Sequence, residues 1–187
     1  MDRLIKKIQN EAIVIDNKIV KVDHFINHML DTDLIFAVGK EFANRFPNVN
    51  KILTIEASGI AFAVATAFHL NNIPIVFARK TESLITTNEV YTYPVMSFTK
   101  QVSRDIIVSK KFLDEKDKVL IIDDFLAHGE ALNGLIEVCK QAKATIIGAG
   151  IVIEKVFQGG RDKIAKHDVE IYSLAPIKEI KNNKLIF

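Results

Sequence analysis

Twice along this chain a β-branched run of strand length is followed by a helix-length apolar segment and then by a second β-rich run, and that order leaves few folds open. Residues 51–56, 59–70 and 73–78 form the first such unit, and residues 118–123, 129–142 and 145–154 the second. Strands joined through a helix return parallel to one another, so the spacing predicts an α/β architecture, a mainly parallel sheet flanked by helices. Around this frame, residues 1–10 place Leu4, Ile5 and Ile8 at helical spacing with Arg3, Lys6 and Lys7 opposite. Residues 12–15 and 18–22 flank the turn pair Asp16-Asn17 as short strands, with a loop from there to His28. Asp31 or Asp33 caps a helix that ends near Arg45, ahead of Pro47.

Residues 90–98 and 105–108 read as further strands, the first confined to an edge or broken by Pro94, while residues 80–89 are polar and commit to no element. Gly159-Gly160 punctuates the chain, residues 161–167 fit a short helix and residues 169–174 a last strand. At the end, Asn182-Asn183 between Ile177-Lys178 and Leu185-Ile186 predicts a small hairpin, packed on the N-terminal arm or on a second subunit.

The chain has 187 residues, and 49% hydrophobic side chains suffice for one core, so a single domain over residues 1–187 is expected. The longest apolar runs, 59–68 and 144–153, fall short of the roughly 20 residues a bilayer span needs. The first seven residues interleave charges with apolar positions and offer no cleavage site, so a cytoplasmic protein with no membrane partner is expected. A lone cysteine, Cys139, excludes an internal disulfide and reads as a small buried hydrophobe. Lysine and arginine number 25 against 23 acidic residues, a net charge of +2 scattered along the chain, which gives no basic stripe for a nucleic-acid partner.

The segment 119–131 carries the most chemistry. Its hydrophobic strand ends on Asp123 and Asp124 and turns through Ala127, His128, Gly129, Glu130 and Ala131 into a helix. Ligands of open α/β sheets bind at this carboxyl edge. Neighbouring side chains on a strand point to opposite faces, so the two aspartates can meet one ligand only if the strand stops between them, and the pattern predicts that stop. Carboxylates accept hydrogen bonds from a ribose diol and can hold magnesium directly or through water. The small-residue loop leaves the first helical N–H groups open to a phosphate monoester. Read without the rest, the same residues are a strand, an aspartate cap and a turn.

These residues resemble the signature of the type I phosphoribosyltransferases, in which a hydrophobic strand, an acidic pair and a loop grip 5-phosphoribosyl 1-diphosphate (PRPP). The resemblance extends over nearly the whole chain. Its blocks are Lys21-Val22-Asp23 through Asn27-His28, Thr54-Ile55-Glu56 through Gly59-Ile60-Ala61, Val76-Phe77-Ala78-Arg79-Lys80, Ser97 through Gln101, the acidic segment, and Gly150 through Lys155 with Phe157-Gln158. Many members carry threonines around the loop glycine, where this chain has His128 and Ala131, so its phosphate grip leans on backbone N–H groups.

The resemblance implies the type I fold with a small hood from residues 1–30 and the C-terminal segment, a homodimer, and a requirement for Mg2+. It implies that Glu56, Ser58 and Gly59 open a pyrophosphate loop and that Val20 meets the base through its main chain. By itself Arg79-Lys80 reads equally as two solvated charges; with the family match it neutralises the departing pyrophosphate. The polar segment from Thr81 to Asn88 is then a flap that excludes water.

Lys155 and Phe157 bring an ammonium and an aromatic face together at another strand end, although alone they would be a salt-bridging lysine and a core ring. Lysine donates and cannot accept, so it pairs with a carbonyl at purine C6 and opposes an adenine amino group. Asn27 can present oxygen or nitrogen to the C2 substituent and does not separate xanthine from guanine. The reaction expected is displacement of pyrophosphate from PRPP by xanthine. The alternatives are a guanine/hypoxanthine- or adenine-using enzyme, or a non-catalytic regulator sensing purine or PRPP. His24 and His28 have metal-ligand spacing but lack a third ligand and read as surface residues.

Overall fold

A computed structural model describes residues 1–80, 89–97 and 102–187. The expected flap, 81–88, and most of the block from Ser97 to Gln101 lie outside the described residues.

Helix α1 (Asp2–Glu11) leads into β1 (Ile13–Ile15) and β2 (Ile19–Lys21), an antiparallel hairpin closed by Asp16 and Asn17. Both turn residues have positive φ, 52° and 51°, which short amide and carboxylate side chains tolerate and which suits the twist of a two-residue turn. The expected loop that follows contains one wide helical turn, Asp23–Asn27. Helix α2 (Thr32–Arg45) is capped by Asp31, whose Oδ1 accepts the Leu34 N–H at 3.0 Å.

Five strands then make one parallel sheet. β3 (Lys51–Ile55), β4 (Ile75–Ala78), β7 (Lys118–Leu126), β8 (Thr145–Lys155) and β9 (Ile171–Ile177) lie in the order β4-β3-β7-β8-β9. The order reverses between β3 and β7, which creates a crevice at their carboxyl ends. Helices α2 and α3 (Gly59–His69) cover one face with α1 and the first hairpin, burying Leu4, Phe25, Phe42 and Phe62. Helices α4 (Glu130–Gln141) and α5 (Gly160–Ala165) cover the other, with Leu132, Leu135, Val138 and Cys139 buried. Each such side chain contributes about 1.5–3 kcal/mol by leaving water, so the sheet is held rigidly between two apolar layers.

The strands expected at 90–98 and 105–108, the first confined to an edge or broken by Pro94, lie outside the main sheet. They form a separate antiparallel arm, β5 (Val90–Ser97) with β6 (Val102–Ser109), which among the described residues is joined to the sheet's edge by a bridge between Arg79 and Ile107. A two-stranded arm has outer edges on both strands, so the missing N–H of Pro94 costs it nothing. The terminal hairpin, β10 (Glu179–Lys181) and β11 (Lys184–Ile186), packs on the N-terminal arm. Asn17 and Asn183 exchange bonds there: the Asn183 N–H donates to Asn17 Oδ1 at 2.8 Å and the Asn17 N–H to Asn183 Oδ1 at 3.3 Å.

Candidate active site

Strand β7 does not stop between the two aspartates. Its pairing with β8 skips Asp124 but keeps the same register on either side, from Leu120 to Asp123 and again at Phe125 and Leu126, so the strand continues past the expected break. What changes is the facing. Leu120 and Ile122 pack with α2 and α3, and strict alternation would put Phe125 on the opposite side; Phe125 nevertheless packs with them, and Leu126 with the α4 layer. The inversion falls across Asp123 and Asp124. It sets the two carboxyls close enough to act on one another, while Asp123 Oδ1 accepts the Asp124 N–H at 3.0 Å and Asp124 Oδ1 the Phe125 N–H at 2.9 Å. Asp123 is buried and Asp124 half-buried. Burial, and then the neighbouring Asp124 charge, push the Asp123 carboxyl well above the usual carboxylate range, with Lys80 acting weakly in the other direction.

Across the crevice, Gly59 opens α3 directly under the acidic pair. A Cβ at that position would lie 2.2 Å from Thr54 Oγ1 and 3.5 Å from Asp123 Oδ1, so no other residue lets the helix end approach so closely. Ser58 occupies the cap position without making a side-chain capping bond. Glu56 is differently employed from the expectation. Its Oε1 accepts the Lys80 N–H at 2.6 Å and its Oε2 lies 4.0 Å from Arg79 Nε, so the carboxylate orients the Arg79-Lys80 pair at the tip of β4. Both cations are exposed beside the crevice.

The loop after β7 enters α4 through Gly129, at φ 81° and ψ 6°. This left-handed conformation and the 2.9 Å separation of a hypothetical Cβ from the Gly160 carbonyl both require glycine. No side chain caps α4, and Glu130 turns away to pair with Lys163. Ala127, His128 and Ala131 are half-buried around the same turn. Two helix N-termini, those of α3 and α4, thus face the crevice with the acidic pair between them.

At the end of β8, Lys155 Nζ lies 5.6 Å from the Phe125 ring centroid and donates to the Lys18 carbonyl at 3.4 Å. Burial lowers its pKa. Val20 is buried on β2, Asn27 is exposed at the end of the helical turn, and Phe157 is 42% exposed, which excludes the core-ring alternative. Beneath this corner the buried Glu154 receives Arg161 Nε at 2.9 Å, Arg161 Nη2 at 2.6 Å and the Ser173 hydroxyl at 2.5 Å. Sequence reasoning missed this clamp. A glutamate closing an apolar strand, with an arginine two residues beyond Gly159, was the available signal. His24 and His28 are exposed, and among the described residues no three His, Cys, Asp or Glu side chains gather as a metal cage.

The phosphoribosyl transferase domain model matches residues 32–183, most of the chain and the whole of this crevice. The chain belongs to the phosphoribosyltransferase family. Among curated phosphoribosyltransferases it is 50% identical to the xanthine phosphoribosyltransferase of Pediococcus pentosaceus over 98% of this chain and 97% of that one. It is 48% identical to the xanthine phosphoribosyltransferase of Clostridium tetani over the full length of both. Solved phosphoribosyltransferases share the fold at lower identity. The adenine phosphoribosyltransferase of Giardia lamblia superimposes with a TM-score of 0.77 at 21% identity, covering 92% of this chain and 97% of that one. That of Trypanosoma brucei gives 0.78 at 17% identity, covering 92% and 79%. At that distance the likeness concerns architecture alone.

Proposed function

We propose that this phosphoribosyltransferase transfers the phosphoribosyl group of PRPP to xanthine, giving xanthosine 5'-monophosphate and pyrophosphate. What carries the reading is the near-50% identity to enzymes of that name along the entire chain, joined to a base corner where Lys155 offers only donors. A ring nitrogen of xanthine attacks ribose C1, and the C1–O bond to pyrophosphate breaks. The N–H groups of residues 127–131 at the start of α4 hold the 5-phosphate, as uncapped helix ends do. Asp123 and Asp124 accept from the ribose hydroxyls and stabilise positive charge that grows on the sugar.

The pyrophosphate lies against Ser58 and Gly59 at the start of α3, with Arg79 and Lys80 drawing off its developing charge while Glu56 keeps them oriented. Lys155 donates to O6, Phe157 covers the ring plane, Asn27 faces C2, and Val20 contributes main-chain contact. The base enters as its anion, so the site needs no separate general base.

Magnesium fits the acidic pair. Two carboxylates pushed together repel, and a cation relieves that repulsion; two carboxylates completed by diphosphate and water are a common magnesium arrangement. Asp123 and Asp124 would hold it, and when bound it neutralises charge on the diphosphate. The chain works in the cytoplasm as a homodimer. Phe36 on α2 with Val64 and Phe68 on α3, exposed by 42%, 51% and 60%, form an apolar face suited to a second copy. Among the described residues no helix is long and apolar enough to cross a membrane.

The test is to incubate the protein with PRPP and Mg2+, offer xanthine, guanine, hypoxanthine and adenine separately, and follow pyrophosphate release. Xanthine should turn over fastest. Turnover with adenine alone would overturn the base assignment, and none with any base would favour a ligand-sensing regulator.

A further inference from the structure

We propose that His167, just beyond α5, is a positioning residue for the phosphoribosyl donor, fixing α5 against the first turns of α4 and so holding loop 127–131 and the β5–β6 arm in one arrangement. The proposal rests on the assignment of that loop to the donor phosphate.

The segment 160–167 meets α4 along one line. At its start, a Cβ on Gly160 would stand 2.3 Å from the Ala127 carbonyl oxygen and 3.0 Å from the Gly129 nitrogen, so α5 abuts the back of the loop. One turn on, Lys163 pairs with Glu130. At its end, His167 Nε2 lies 2.8 Å from Asn133 Oδ1 and Nδ1 lies 2.7 Å from Lys140 Nζ. Residues 160, 163 and 167, spaced at three and four, meet 129, 130 and 133 in turn, which makes this segment a brace for the loop.

The chemistry of this end is directional. An ammonium can only donate, so Nδ1 of His167 must accept from Lys140, and the proton resides on Nε2, which donates to Asn133 Oδ1. That fixes the Asn133 amide, whose Nδ2 donates to Tyr93 Oη on β5 at 3.1 Å. The arm is also seated closely there: a Cβ on Gly134 would come within 2.7 Å of Val95 Cγ2. Three segments far apart in sequence therefore depend on one neutral imidazole, whose side chain is 3% exposed.

The charged groups acting on the ring are Lys140 and Glu137 of α4, the latter 3.7 Å from Nδ1, and Lys166 beside it; the Asn133 and Tyr93 groups are neutral. Burial lowers the imidazole pKa, Lys140 and Lys166 lower it further, and Glu137 opposes them, so the neutral ring holds at neutral pH. Protonation in acid turns Nδ1 into a donor facing the Lys140 ammonium and opens the chain of bonds.

The experiment measures PRPP binding by calorimetry and kcat/KM for PRPP from pH 5 to 8, for wild type, H167A and H167Q. Glutamine offers one acceptor and one donor and carries no charge. H167A should weaken PRPP binding about tenfold at pH 7.5 and leave KM for xanthine within about twofold. H167Q should bind PRPP as wild type does at pH 7.5 and lose part of the acid decline. Should H167A fail to fold, H167Q and Y93F decide, the latter weakening PRPP binding with xanthine KM unchanged. Wild-type PRPP affinity in H167A, or an unaltered acid decline in H167Q, would overturn the proposal. Failure of wild type itself to bind PRPP would instead contradict the donor-site assignment.

Discussion

Glu154 and Arg161 form a two-pronged ion pair in which the carboxylate is 2% exposed and the guanidinium 47%, and this pair ties the end of β8 to α5. It fixes the turn carrying Phe157 from below and the start of the α5 brace from the side. Burial pushes the Glu154 carboxyl up, but the Arg161 and Ser173 hydrogen bonds outweigh it and leave the pKa lowered.

Replacing Arg161 with alanine strands that carboxylate. Breaking a buried pair costs about 3–5 kcal/mol, and the half-exposed guanidinium reduces this to about 2–3 kcal/mol. Thermal unfolding at pH 7 should show a lower Tm. Because the folded pKa lies below the ordinary glutamate value, the pair stabilises above that value and loses its contribution as pH falls through the folded pKa. The deficit of R161A should therefore shrink in acid.

Asp123→Asn separates stability from function. The folded pKa of Asp123 is raised above 3.8, so its contribution is fully present below that pH and is lost as pH rises through the folded pKa. Asparagine removes the cost of that raised pKa at neutral pH and should stabilise the ligand-free protein by about 0.5–2 kcal/mol, as relief of active-site strain commonly does. Turnover should fall by at least about a hundredfold. A lowered Tm for D123N at pH 7 would contradict the burial argument.

Gly129→Ala should weaken PRPP binding. The left-handed conformation costs a residue with a Cβ roughly 1–2 kcal/mol, and contact with the Gly160 carbonyl adds to it. A PRPP dissociation constant raised about tenfold or more is expected from calorimetry, and an unchanged value would show that the loop does not carry the phosphate.

Cys139 should be inert. Burial, and then Asp117, push its thiol up to about 12, so almost no thiolate forms at neutral pH. The native protein should resist iodoacetamide at pH 8, and the unfolded protein should react.

Much of this was legible in sequence because it depends on local pattern. Uniform apolar runs fixed the buried parallel strands, Asp31 marked the start of α2, and turn pairs marked both hairpins. What could not be read depends on long-range packing. Pro94 left its strand either an edge or broken, and nothing local showed that it is an unbroken strand of a separate arm. The aspartate pair had to converge to bind one ligand, yet the means, a reversal of facing at a skipped pair in a ladder that keeps its register, involves β8 as much as β7. The resemblance places Glu56 in the pyrophosphate loop, and only the approach of β4 shows its carboxylate holding Lys80 and Arg79. His167, Asn133 and Tyr93 carry no motif.

The most direct measurement is a crystal structure of the protein with PRPP and Mg2+. The account predicts the 5-phosphate on the N–H groups of residues 127–131, the ribose hydroxyls on Asp123 and Asp124, and the diphosphate between Gly59 and Arg79-Lys80. A sugar bound elsewhere, with both aspartates still directed at each other, would contradict it.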